Sequence, residues 1–314
     1  MPIDLSKIDF NTGLLVQEML KRIDVQYLDS EILIATYKEH VEYLDETNMN
    51  VFYMTKFLLD DKYTTKLLLR QALSVVEKAF KNSEFTEALE YAEKVFPLVI
   101  KPTMTHTCVY IGIDTREDFI QSFRKVQKYT SNYFNDILVE KQFVNEFRIF
   151  IDKNFYSVVS REPANITDKK TIEELIEIEN DKRMNPRKYC LCTIKINDIT
   201  IRHLKSILEL NSIPKKEKVY VRPNSNVCTN CRDVTDKVHP SIIEISKRAL
   251  NCIPNTPFIG LDLMTDDISK AQTDTSYIIC EINANPGISL HTHEETENFK
   301  NVPAIIDILF PETK

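Results

Sequence analysis

Tyr277-Ile-Ile-Cys-Glu281-Ile-Asn283-Ala-Asn285-Pro-Gly287-Ile-Ser-Leu-His291 decides how this chain is read. Four residues of strand character run into an acid, and an amide follows two positions later. In an extended strand, residues i and i+2 share a face, so Glu281 and Asn283 present two hard oxygen donors side by side. Pro286-Gly287 then turns the chain away. Shortly upstream, Phe258-Ile-Gly-Leu-Asp262-Leu-Met264 offers another acid in a similar setting. Oxygen donors on a rigid strand suit Mg²⁺, which keeps several waters and bridges to substrate phosphates. Asp262, Glu281 and Asn283 are therefore candidate ligands for a divalent cation. The alternative for any one of them is a solvated polar residue on an edge strand.

The rest of the composition narrows the class. A chain of 314 residues admits two domains or one elaborate one. Its formal charge of −7 gives no global attraction to nucleic acid or anionic membrane. No apolar run reaches the length of a membrane span. The start, Met1 to Phe10, has neither the basic end nor the apolar core of a signal peptide. Seven cysteines, an odd number, point to free thiols in a reducing compartment, and the cytoplasm is the expected location. Only four glycines occur, far below the usual share of about 7%, so a glycine-rich phosphate loop is not available to this chain.

Hydrophobic spacing predicts a helix around Leu14 to Ile23, a short strand at Val25–Leu28 and a second helix from Glu31 to Tyr43. Acids at Asp60 and Asp61 open a further helix. From Ser74 to Glu140 strands and helices alternate: strands at Ser74–Phe80, Phe96–Pro102, Cys108–Ile113 and Ile137–Glu140, with helices at Thr86–Val95 and Glu117–Tyr129. A hairpin is predicted at Phe147–Ile151 and Phe155–Arg161, then a helix at Lys170–Asn180, a strand at Tyr189–Ile196, a helix at His203–Leu210, a strand at Lys218–Arg222 and a helix at Pro240–Asn251. The predicted organisation is α+β: an N-terminal α/β layer (1–60), a small unit able to move as a lid (61–144) and a larger C-terminal unit (145–314).

Lys62 opens the lid and Lys101 ends a strand within it. Two cations flanking a cleft are what triphosphate oxygens require, although either lysine alone reads equally as a surface residue. In order along the chain, Lys62, Val99-Ile-Lys101-Pro102, Val139-Glu140-Lys141, Asp262 and Glu281-Ile-Asn283-Ala-Asn-Pro-Gly287 resemble the ATP-grasp fold. His40-Val-Glu-Tyr43, Asp61-Lys62-Tyr-Thr-Thr-Lys66, Glu146-Phe-Arg148-Ile-Phe150, Arg161-Glu-Pro-Ala-Asn165 and Ile213 to Arg222 extend the resemblance. It is strongest to the ATP-grasp domains of bifunctional glutamate–cysteine ligase/glutathione synthetase and of cyanophycin synthetase.

That resemblance implies an ATP-dependent, ADP-forming ligase that joins a carboxylate to an amine through an acyl phosphate. Lys62 and Lys101 would contact the nucleotide, and Glu140, Lys141 and Val144 would form the hinge framing adenine. Asp262, Glu281 and Asn283 would hold Mg²⁺, or Mn²⁺ in its place. Arg148, Arg161 and Arg222 would take up charge on the transferring phosphoryl group, with Asn224 and Asn226 as polar wall residues. Small-molecule substrates and a homodimer are implied, and neither nucleic acid nor membrane is. The alternative on the same fold is a non-catalytic protein that binds nucleotide or peptide.

Three segments depart from the pattern. Where the family has a glycine-rich loop, this chain has Thr103-Met-Thr-His-Thr-Cys108; where it has Gly-Asp-Gly, this chain has Thr167-Asp168-Lys169; a third glycine turn is Cys228-Thr-Asn-Cys231. Thr103, Thr105 and Thr107 offer hydroxyls to phosphate in place of backbone amides. Cys190, Cys192, Cys228 and Cys231 have the alternative reading of a four-thiolate zinc site. His291 lies where cyanophycin synthetase also carries a histidine, which implies a place on the substrate side, whereas His293 reads as a loop residue.

Overall fold

A computed structural model describes residues 3–5, 8–28, 32–45, 53–74, 77–104, 108–130, 136–184, 193–196, 200–201, 204, 209–214, 218–221, 230–291 and 301–314. The Asp9 carboxylate caps α1 (Phe10–Met19), accepting from the Asn11 amide at 2.8 Å. Then come β1 (Asp24–Tyr27), β2 (Ile32–Tyr37) and β3 (His40–Asp45), an antiparallel sheet in the order β1-β2-β3. The helix expected at Glu31–Tyr43 is thus a hairpin. Tyr37 pairs with His40 across the two-residue turn Lys38-Glu39, and Lys38 takes φ 54°. A turn of this kind is ordinarily announced by Asn or Gly. With Lys-Glu in its place, the leucine and tyrosine spacing mimics a helix.

Helices α2 (Tyr53–Asp60) and α3 (Lys62–Leu69) follow, the second capped by Asp61, which accepts from Thr64 N at 2.6 Å. Residues 78–141 comprise β4 (Lys78–Phe80), α4 (Phe85–Ala92), β5 (Leu98–Pro102), β6 (Tyr110–Ile113), α5 (Arg116–Thr130) and β7 (Ile137–Lys141). These strands form a sheet in the order β4-β7-β5-β6, with Phe119, Phe123 and Val126 of α5 packed on it. Among the described residues of the strand expected at Ser74–Phe80, Lys78–Phe80 form β4.

Next come β8 (Asn145–Asp152), β9 (Tyr156–Glu162), β10 (Asn165–Ile166) and α6 (Ile172–Arg183), which opens on a Thr171/Glu174 capping box. Then follow β11 (Val219–Tyr220), β12 (Asn230–Asp233), α7 (Pro240–Cys252), β13 (Phe258–Thr265), β14 (Tyr277–Asn283) and α8 (Asn301–Leu309). Residues 193–196 are not a strand. Tyr189 to Cys192, most of the helix expected at His203–Leu210, Thr105, Thr107, Arg222, Asn224, Asn226, Cys190, Cys192, Cys228 and His293 lie outside the described residues.

The central sheet runs β12-β9-β8-β13-β14, all antiparallel. Alternation along its strands sorts two faces. Phe147, Ile149 and Ile151, then Ile259, Leu261 and Leu263, then Ile279 and Ile282 turn into one core with Ile242, Ile245 and Ala249 of α7. The residues between them, Arg148, Gly260, Asp262, Met264, Ile278 and Glu281, face the other way. At the far end of that second face Phe150 and Phe258 join Leu15, Val16 and Met19 of α1 and Ile305 and Ile306 of α8. The N-terminal layer therefore shares a core with the C-terminus, and the polar remainder of the face is left for the site.

Candidate active site

Asp262 on β13 pairs with Glu281 on β14, and Gly260 pairs with Asn283. Between Asp262 and Leu263 the register slips, because Leu263 pairs with Ile279 and leaves Cys280 as an extra residue. This is a β-bulge, which re-aims side chains. It brings Ile278, Cys280 and Glu281 to the same cleft, where simple alternation would send either Cys280 or Glu281 into the core. The opposite wall comes from the β4-β7-β5-β6 sheet and the residues next to its strands: Val99, Lys101, Val109, Ile111, Glu140, Lys141 and Gln142. Lys62, Glu146, Asp262 and Met264 complete the lining.

The charges in this cleft are arranged as chains. Arg148 Nε lies 2.7 Å from Asp262 Oδ1, and Arg161 Nη1 lies 3.2 Å from the same oxygen and 2.6 Å from Glu146 Oε1. With its oxygen turned towards Arg148, the Asn283 amide accepts from Arg148 Nη1 at 2.8 Å and donates to Glu281 Oε1 at 3.1 Å. Glu281 Oε2 faces Lys62 Nζ at 3.8 Å. Burial pulls the Arg161 pKa down, but Asp262 and Glu146 outweigh it and the net shift is upward. For Lys62 burial prevails, and the ammonium pKa is lowered despite Glu281.

Behind this row lies a second one. Lys101 Nζ lies 2.5 Å from Glu140 Oε2, while Lys66 Nζ lies 3.1 Å from Glu140 Oε1 and 2.9 Å from Glu77 Oε1. Burial opposes the charge of Glu140, yet the two lysines hold its pKa below the usual carboxylate range. Lys101 is held above the ordinary lysine value because Glu140 outweighs its burial. The Glu140 side chain is therefore committed to lysines, which leaves its backbone for any contact with a ligand. Cys280 borders the cleft as a thiol, with burial pushing its pKa up to about 12.

The sequence-predicted set divides as follows. Lys62, Lys101, Glu140, Lys141, Asp262 and Glu281 line one cleft, and Arg148, Arg161 and Asn283 adjoin it through the contacts above. Val144 is 80% exposed and outside the lining, its amide 3.4 Å from Asp266 Oδ1. Thr103 is buried and its carbonyl accepts from the Lys62 amide at 2.9 Å, which ties the loop after β5 to the start of α3. Sequence reasoning missed Lys66, Glu77 and Glu146 as parts of the site. Lys66 was legible in one respect, since it lies one helical turn after Lys62.

Two carboxylates and an amide on neighbouring strands are a hard oxygen set that fits Mg²⁺ or Mn²⁺. The Asn283 oxygen now faces Arg148, so ligation by it requires that contact to yield. Among the described residues no three His, Cys, Asp or Glu are gathered around a point, and Cys231 of β12 pairs across the sheet with Arg161. Buried His291 contacts Ser157 Oγ through Nδ1 at 3.0 Å; burial and the Arg148 charge lower its pKa to about 3, so the ring is neutral. No described helix is long and apolar enough to cross a membrane.

No family model matches the chain. It is 29% identical over 321 residues to the glutathione biosynthesis bifunctional protein of Clostridium perfringens, across 96% of this chain and 41% of that protein. It is 32% identical over 270 residues to the cyanophycin synthetase of Crocosphaera subtropica, across 80% of this chain and 30% of that protein. The crystal structure of a bifunctional glutathione synthetase from Pasteurella multocida matches with a TM-score of 0.71 at 25% identity, over 97% of this chain and 44% of that one. The chain thus spans less than half the length of these relatives. With an α+β architecture shared over nearly its whole length, a cleft between two sheets, and lysines on one wall facing acids on the other, the chain belongs to the ATP-grasp superfamily.

Proposed function

We propose that the protein is an ATP-dependent, ADP-forming ligase that joins the carboxylate of one amino acid or small peptide to the amine of another. One observation carries this reading: Asp262 and Glu281 sit at facing register positions of β13 and β14, with Asn283 two residues beyond Glu281, on the cleft that Lys62 and Lys101 also line. Acids that hold a cation and ammonium groups that hold phosphate oxygens thereby face the same space. Glutathione formation from γ-glutamylcysteine and glycine is the first substrate pair to test, in view of the glutathione-synthesising relatives.

A carboxylate is a poor electrophile. In the proposed reaction its oxygen attacks the γ-phosphorus of ATP, ADP leaves, and the amine then displaces phosphate from the acyl phosphate and loses a proton. Lys62 and Lys101 bind phosphate oxygens as point charges. Arg148 and Arg161 stabilise charge on the transferring phosphoryl and acyl oxygens from the Asp262 side. Asp262, Glu281 and Asn283 would hold Mg²⁺ or Mn²⁺, whose charge when bound neutralises phosphate oxygens. Apolar Val99, Ile111, Met264 and Ile278 fit the faces of a purine. Closure of the 61–144 unit as a lid would exclude water from the acyl phosphate. A cytoplasmic site of action and assembly as a homodimer belong to the same reading.

ADP release measured with MgATP over a panel of amino acids and dipeptides tests it. Turnover with one carboxylate–amine pair, abolished by Glu281→Ala, is the expected outcome. No turnover with any pair, together with ATP binding indifferent to Glu281→Ala, refutes it. The loss of family glycines at 103–108 and 167–169 favours a second reading, a nucleotide-binding protein without turnover. It predicts saturable ATP binding and no ADP release from any pair.

A further inference from the structure

Lys66 is nearly inaccessible, at 1% exposure, and lies behind the cleft rather than in its lining. It reaches from α3 to three places at once. It pairs with Glu77 just before β4, with Glu140 on β7, and donates to the Ile279 carbonyl on β14. One ammonium group thus ties the β4-β7-β5-β6 sheet to the central sheet. Burial opposes its charge; Glu140 and Glu77 outweigh that and hold its pKa above the ordinary lysine value.

Glu140 is the shared member. One oxygen faces Lys66 at 3.1 Å and the other faces Lys101 at 2.5 Å. A carboxylate divided between two ammonium groups neutralises neither fully. Lys101 borders the cleft, so the charge that Glu140 leaves uncompensated there is presented to whatever the cleft binds. We infer that Lys66 is a positioning residue for the nucleotide polyphosphate: by drawing one Glu140 oxygen away from the cleft it sets the orientation and residual charge of Lys101. This inference rests on the nucleotide reading proposed above.

Lys66→Met alone takes from buried Glu77 its lysine partner and leaves the cluster with one excess negative charge, and misfolding would obscure its effect. Lys66→Met/Glu77→Gln removes one charge of each sign and keeps the buried cluster neutral. Glu140 then belongs to Lys101 alone. The test is equilibrium binding of MgATP and of adenosine, which lacks phosphates, with the thermal midpoint measured alongside. Expected for the double variant is a Kd for ATP raised about tenfold, with the Kd for adenosine within about twofold of wild type. A purely structural role would weaken both ligands together or restore both with the midpoint, and either result overturns the inference. Glu77→Gln supplies an arm that keeps Lys66. Lys66 then has only Glu140 as a carboxylate partner, Lys101 is less compensated, and ATP is expected to bind several-fold more tightly with adenosine unchanged. ATP binding that is unchanged or weaker in Glu77→Gln overturns the inference even where the double variant does not fold. Wild-type protein that binds neither ligand refutes the nucleotide reading itself, whereas wild-type binding with both variants unchanged refutes only the role of Lys66.

Discussion

Gly260→Ala is the sharpest structural perturbation of the site. A Cβ built on Gly260 would lie 2.5 Å from Pro286 Cβ and 3.1 Å from Arg148 Nη1. Carbon atoms in contact sit about 3.5–4.0 Å apart, so the overlap with Pro286 is about 1 Å, against a ring that cannot swing aside. Arg148 has more freedom, but its contacts to Asp262 at 2.7 Å and to the Asn283 amide at 2.8 Å would have to move with it. Overpacking of this size costs about 1–3 kcal/mol. Because it displaces Pro286 and Arg148 together, it disturbs both ends of the candidate cation site. Denaturant titration should show the loss of stability, and ADP release should fall at least about tenfold, the equivalent of 1.4 kcal/mol. Gly13→Ala is the control: nothing lies within 4 Å of its Cβ, it sits inside α1, and it should stabilise by about 0.5–1 kcal/mol. If Gly260→Ala matched wild type within about 0.5 kcal/mol and retained its activity, the packing of β13 against Pro286 described here would be wrong.

Asp262→Asn keeps the shape but removes the charge that Arg148 and Arg161 share; it should cost about 1–3 kcal/mol in denaturant titration and abolish metal-dependent ADP release. Two histidines should respond to pH with opposite signs. His291 has its folded pKa lowered to about 3 by burial and Arg148, so the unfolded chain binds the extra proton and stability falls as pH drops below about 6.5. The loss between pH 7 and pH 5 should be about 2 kcal/mol, and His291→Gln should flatten it in pH-dependent denaturation. His40 is raised by its contacts with Glu42 at 3.1 Å and Glu312 at 2.6 Å. Its contribution is therefore complete below about pH 6.5 and lost as pH rises through the folded value. Limited proteolysis of the C-terminus should report that loss, and His40→Gln should remove the dependence. Asp168, exposed and at φ 145°, occupies backbone space that suits glycine, so Asp168→Gly should raise the thermal midpoint, a gain of about 1 kcal/mol.

The acids of the central sheet were legible because period-two alternation survives in β13 and in the end of β14 beyond its bulge, where Leu261 and Ile282 turn into the core and leave Asp262, Glu281 and Asn283 on the other face; Arg148 was reached only through the family resemblance. What remained hidden depended on distance and on turns. Glu140 stands in a strand whose neighbours are apolar, and nothing in Val139-Glu140-Lys141 tells that its carboxylate is shared by Lys66 and Lys101. The bulge at Cys280 is equally silent, since a one-residue slip leaves no compositional trace. Turns were hidden for one common reason. With four glycines, positive φ falls to other residues: Lys38 at 54° in the missed hairpin, Cys108 at 59° after the loop that follows β5, and Asp168 at 145°. The last two stand in segments where the resembled family carries glycine. The backbone there still takes dihedrals suited to glycine after the residue itself has gone, so the strain is borne by side-chain-bearing residues. At Cys108 and Asp168, loss of the glycine residue is therefore not loss of the positive φ. On the ligase reading, what the loss removes is close backbone approach to phosphate, for which the hydroxyls of Thr103, Thr105 and Thr107 are the replacement the sequence offers.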